Sequence, residues 1–129
     1  MGAVAAALVC AACASEPDAL ESYTDEGDAC RQAVSAIGYA DDVLKPLGQE
    51  PFQDFDDATR SRLAAVAGTL ALEARDWPSR EVAEQAEVLQ PLAQAAAEKD
   101  GGVERERALL EYRVEAARLV LLCRDEGEA

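Results

Sequence analysis

From residue 28 onward apolar side chains recur at steps of three and four, and the recurrence falls into four blocks. In the first, Cys30, Ala33, Ile37, Ala40, Leu44 and Leu47 advance by 3, 4, 3, 4 and 3. That spacing lays them along one stripe of an α-helix, widened by Val34, and Pro46 and Gly48 close it. The spacer 49–55 carries Phe52 and Phe55, placed to fold back over the end of the domain. Asp56 or Asp57 suits the cap of a second helix. Its stripe is Leu63, Val66, Leu70, Ala74 and Trp77, with Ala67 alongside, and Gly68 in its middle predicts a close approach between helices. Pro78 or Ser79 opens a third helix, with Val82, Ala86, Leu89, Leu92 or Ala93, and Ala96 as its stripe. Pro91 lies inside that helix and predicts a kink; Asp100-Gly101-Gly102 ends it.

The fourth block, residues 103–124, has two apolar rows. One is Leu109, Tyr112, Ala116, Leu119 and Cys123. The other is Val103, Leu110, Val114, Ala117 and Leu121. A helix apolar around so much of its girth is expected to be covered by several neighbours. No segment alternates convincingly as a strand does, and the connections are short. The pattern therefore predicts an all-α, antiparallel up-down four-helix bundle. In such a bundle the first helix starts where the fourth ends, so Cys30 and Cys123 share one end. A Cys30–Cys123 disulfide is the expectation, and it would close a loop of about 94 residues. Disulfides persist outside the reducing cytosol.

The N-terminus has a different character. Ala3 to Ala14 is an uncharged run of small and apolar residues, and residues 15–28 are polar and acidic. The run is too short for a membrane-spanning helix, which needs about 20 residues, but has the length of the apolar part of a secretory leader. The acidic stretch cannot bury a core and reads as a tether. The expected organisation is a leader over 1–13, a flexible acidic tether over 14–27 and a helical bundle over 28–126.

Cys10-Ala11-Ala12-Cys13 resembles the cleavage box of bacterial lipoprotein precursors. In that class an apolar leader ends in two small residues and a Cys, which becomes the first mature residue and carries the lipid. The resemblance implies Cys13 as the lipidated residue, a fatty acid such as palmitate as the anchor, and the extracytoplasmic face of the cell membrane as the location. Cys10 stands where Leu is usual in the box, and no Lys or Arg follows Met1. Two alternatives read the same residues differently. Ala12-Cys13-Ala14 also fits the small-x-small rule of ordinary signal peptidase, giving a freely secreted chain from Ser15. An uncleaved cytosolic helical protein is the other. Cys10 and Cys13 also form a C-x-x-C pair, but no strand pattern precedes it as a redox motif requires. Cys10, Cys13, Cys30 and Cys123 have the count of a four-Cys zinc site without its second close pair.

Composition narrows the chemistry. Among 129 residues, 26 Asp and Glu face 12 Lys and Arg, a net charge of −14. Nucleic-acid binding is not expected, because it needs clustered cations. Histidine and asparagine are absent, which removes His-based acid–base and nucleophilic catalysis and N-glycosylation. Glu50, Asp54, Asp56 and Asp57 form the densest loop cluster of acids, without the Gly and Glu of a calcium loop. Helix capping is the better reading. Glu81, Glu84 and Glu87 share a helix face and read as a wet surface rather than a metal site. Tyr39 and Tyr112 could in principle ligate haem, but a tyrosine in an apolar stripe is more often packing. The chain is expected to be no enzyme and to hold no cofactor or metal. Its expected partners are a membrane, through the lipid, and an envelope protein of unknown identity. A small hydrophobic or cationic ligand carried within the bundle is the alternative.

Overall fold

The computed structural model describes residues 26–128, with side chains described for residues 29–125. Four α-helices account for most of it: α1 (Glu26–Asp41), α2 (Asp57–Thr69), α3 (Arg80–Glu98) and α4 (Gly102–Glu128). Two short 3-10 turns, Glu50–Phe52 and Ala74–Asp76, lie in the connections. No strand occurs among the described residues. The expected leader lies outside the described residues, as does the tether up to residue 25. The tether's last two positions, Glu26 and Gly27, are the first turn of α1, and α4 runs past residue 126 to Glu128.

Each helix packs on the next, and α1 closes the ring against α4. Three cross-links give the directions. Arg62, early in α2, donates to the carbonyl of Tyr39 near the end of α1 at 2.8 Å. Arg60 donates to the carbonyl of Ala97 at the end of α3 at 3.0 Å. Gln85 in α3 reaches Glu115 in α4, at the spacing expected about a turn centred on Asp100. These contacts make an up-down all-α bundle. Its core holds Tyr112, Leu63, Leu89, Leu109, Leu119, Val66 and Val82, all essentially without solvent contact. Buried alanines on every helix (Ala33, Ala40, Ala67, Ala86, Ala93, Ala116) let the backbones approach closely.

The helix starts follow local chemistry. The Asp56 carboxylate accepts from the Thr59 amide at 2.9 Å and caps α2. The Ser79 hydroxyl accepts from the Val82 amide at 3.2 Å and caps α3. Gly101 and Gly102, with φ of 142° and 73°, make the turn into α4, a region other residues rarely occupy.

Several expectations are corrected. α1 stops at Asp41, so Leu44 and Leu47 leave the helix. Pro46 has no N–H and its ring would collide with the carbonyl four residues back, which ends the helix ahead of it. α2 stops at Thr69. There the Thr69 hydroxyl turns back to the Ala65 carbonyl at 2.9 Å, and the Asp76 carboxylate accepts from the Glu73 amide, organising the next 3-10 turn. Ala74 is exposed, whereas Trp77 reaches the core from that turn. Gly68 is exposed, and a methyl there would meet nothing within 4 Å, so it marks no close approach. Phe55 packs on the core, but Phe52 is 74% exposed and does not fold over the bundle end. Finally, only the first row of α4 is buried; the second faces outward.

Candidate functional site

Among the described residues, four of the nine exposed large hydrophobic side chains lie on the outward row of α4. At about 100° per residue, Val103, Leu110, Val114, Ala117 and Leu121 fall opposite Tyr112, Leu119 and Cys123. The latter three are buried. The outward residues remain exposed, Val103 at 68% and Leu121 at 59%. Scattered exposed apolar side chains are ordinary; several on one helix face, here broken by Arg107 between Val103 and Leu110, make a candidate interaction surface.

A wall of loop stands beside this row. Leu47, 60% exposed, projects from the α1–α2 connection, and polar groups hold that connection in place. Gln53 is buried; its amide donates to the carbonyls of Val43 (3.0 Å) and Asp54 (2.9 Å) and accepts from the Lys45 amide (2.6 Å). The buried Glu50 carboxylate accepts from the Gly48 amide at 2.9 Å. From α4, the Arg113 guanidinium donates to the Lys45 carbonyl. An exposed leucine is thus carried on a loop held by five hydrogen bonds.

Two shallow grooves meet at Leu47. One, of about 370 Å³, runs between α1 and α4 past Ile37, Asp41, Ala117, Val120 and Leu121, with Arg113 and Arg124 at its edges. The other, of about 700 Å³, lies between the loop and the start of α4, against Pro51, Val103, Arg107 and Leu110. Partial burial at the first groove raises the Asp41 carboxyl above the usual range; Arg113 opposes this and Asp42 adds to it. Beneath this face Tyr112 is buried with its hydroxyl unpaired. Loss of water, reinforced by Asp41, pushes its ionisation far upward.

The residues singled out in the sequence separate into three groups. Cys30 and Cys123 are joined as a disulfide with Cα atoms 5.4 Å apart, within the ordinary span. That bond consumes two of the four thiols that a zinc site would need. Cys10 and Cys13 lie outside the described residues. The acids do not converge: Glu50 turns inward, Asp56 caps α2, and Glu81, Glu84 and Glu87 point to solvent. Among the described residues no three Cys, Asp or Glu side chains form a metal-ligating group. Tyr39 lies on the surface under the Arg62 guanidinium, 3.8 Å from its ring centre.

Sequence reasoning missed the loop wall. Gln53 and Glu50 read as spacer, and Leu47 as a helical core position. The Pro46 that expels Leu47 from α1 was the available signal. None of the helices described is long and apolar enough to cross a membrane. No protein-family model matches the chain, and no curated protein or solved structure resembles it significantly.

Proposed function

We propose that this chain is an exported cell-envelope lipoprotein whose disulfide-closed helical bundle works as a binding or assembly module. In this reading Cys13 carries the lipid at the extracytoplasmic face of the membrane, and the acidic residues that follow hold the bundle off it. The bundle performs no catalysis. The observation that supports the reading is the Cys30–Cys123 bond, because disulfides persist mainly in oxidising compartments. The bond and the lipobox-like leader are separate features that favour the same compartment.

The test is metabolic labelling with radioactive palmitate in a bacterium that processes lipoproteins. The wild-type chain should take up label and Cys13→Ser should not. Equal labelling of both removes the assignment of the lipid to Cys13. Label in neither, with a mature mass beginning at Ser15, makes the protein secreted, and a product retaining Met1 with free thiols places it in the cytosol.

A second reading, carriage of a small hydrophobic or cationic molecule, draws support from the α1–α4 groove with its apolar floor. A ligand retained through purification, seen by native mass spectrometry and lost on Leu121→Glu, would favour carriage.

A further inference from the structure

The spacing of the outward row on α4 decides what covers it. Val103, Leu110, Val114, Ala117 and Leu121 advance by 7, 4, 3 and 4. That is the spacing of a coiled-coil seam, which one helix offers to another. The seam is ~27 Å long at 1.5 Å per residue.

Charges flank the seam on both sides. On one side, in order, stand Glu104, Glu111, Arg118 and Asp125; on the other, Glu106, Arg113 and Val120, with Arg107 and Arg124 interrupting the seam itself. Four arginines thus face four acids in a chain whose net charge is −14. This is the surface on which two equally charged copies can meet with little mutual repulsion.

The order of these charges sets the direction. In a parallel pair each residue of one flank faces the opposite flank of the second helix five residues on. Glu106 would then face Glu111, and Arg113 would face Arg118, like against like in both cases. In an antiparallel pair each flank faces its own counterpart. Leu110 then packs against the second copy's Leu121, and Val114 against its Ala117. Glu111 meets the second copy's Arg118, twice by symmetry, and Arg113 meets Val120. The like-charged encounters, Arg107 with Arg124 and Glu104 with Asp125, also recur twice each, but they fall at the wet ends of the seam, where salt screens them. Arg118 is free to turn: it is 60% exposed and held only by Glu115 one turn before it, at 3.2 Å. Leu47 stands on the Arg113 side and extends the apolar surface.

We propose that two copies of this chain pair through the outward face of α4, antiparallel about a two-fold axis, with Glu111 of each against Arg118 of the other. Such a contact is isologous and closes on itself. The pairing stands on described residues alone and does not depend on the lipid anchor, so either idea can fail without the other.

The experiment is sedimentation equilibrium of the full oxidised chain over roughly 1 to 500 µM, a range suited to a small interface. Wild type should dimerise. Leu110→Glu/Leu121→Glu, at two exposed positions, should keep its helical circular dichroism and melting temperature yet weaken the dimer by roughly a hundredfold or more. Glu111→Arg should weaken it by roughly fivefold or more, and Glu111→Arg/Arg118→Glu should recover most of that loss. A wild type monomeric throughout overturns the proposal and leaves the row to another occupant. A dimer indifferent to Leu110→Glu/Leu121→Glu places the contact elsewhere, and a double swap weaker than the single one removes the antiparallel register.

Discussion

Cys30 in the first turns of α1 and Cys123 near the end of α4 are bonded across a sequence separation of 93, with 5.4 Å between their Cα atoms. The bond ties α1 to α4, the two helices of the ring that are farthest apart in sequence. It acts mainly on the unfolded chain: closing so long a loop removes conformations worth about 4 to 5 kcal/mol in the chain-entropy model. That is comparable to the whole stability of many domains, about 5 to 15 kcal/mol. Cys30→Ala/Cys123→Ala should therefore lower the urea midpoint sharply relative to the oxidised protein. A loss under about 1 kcal/mol would mean that the unfolded chain is already compact without the bond.

Gly68 in α2 and Gly38 in α1 are both exposed, and a methyl at either would meet no atom within 4 Å. Neither has a positive φ. Each glycine then costs helix stability without a compensating contact. Gly68→Ala and Gly38→Ala should each add roughly 0.5 to 1 kcal/mol. The two changes sit on different helices and should nearly add. Chemical denaturation measures this directly; a destabilised Gly68→Ala would restore the close approach that the sequence pattern suggested.

Tyr112 presents the opposite case, a polar group that burial leaves unserved. Its ring is fully buried and its hydroxyl has no partner among the described groups. Tyr112→Phe keeps the ring and removes the hydroxyl, so it should be neutral or stabilising by about 1 kcal/mol. The raised ionisation also has a sign. Below pH ~10, where the unfolded tyrosine is neutral too, its contribution is complete. As pH climbs from there toward the raised folded value, the unfolded chain loses its proton first and stability falls. Tyr112→Phe should flatten that alkaline decline in a series of melts.

How much of this was legible in the chain depended on whether spacing and burial coincided. In α3 they did: Val82, Ala86, Leu89, Ala93 and Ala96 are all buried. Leu44, Leu47 and Ala74 kept helical phase with the stripes before them, but phase alone does not hold a helix together. Pro46 removed a hydrogen bond, and the Glu73–Asp76 turn offered the backbone another partner. In α4 both rows read as apolar and were expected to be covered, although Cys123, predicted to bond Cys30, and the Arg107 and Arg124 that break the second row pointed to the first as the inward one. A four-membered ring covers only one side of each helix, so the second row had to remain outside. The loop wall was hidden for a different reason. Glu50 and Gln53 are polar by type, and only the folded connection turns them inward onto the Gly48 and Lys45 amides and the Val43 carbonyl.

Asp56 gives the most selective test of the helix starts. It is exposed, yet its carboxylate accepts from the Thr59 amide at 2.9 Å and the Thr59 hydroxyl at 2.8 Å. The amide bond is the larger cause of its lowered pKa, and the hydroxyl the second. A lowered folded value contributes stability that is present above the unfolded value of about 3.9. It is lost as pH falls through the folded value, because protonation removes the preferred acceptor. Asp56→Ala should therefore lower the melting temperature at neutral pH, and the gap from wild type should narrow as the solution is acidified below pH ~4. Asp56→Asn keeps a side-chain oxygen at the cap. It should melt between the other two at neutral pH, with a weaker acid dependence than wild type. A gap between Asp56→Ala and wild type that stayed constant down to strongly acidic pH would assign the effect to the Thr59 contact geometry rather than to the charge at the start of α2.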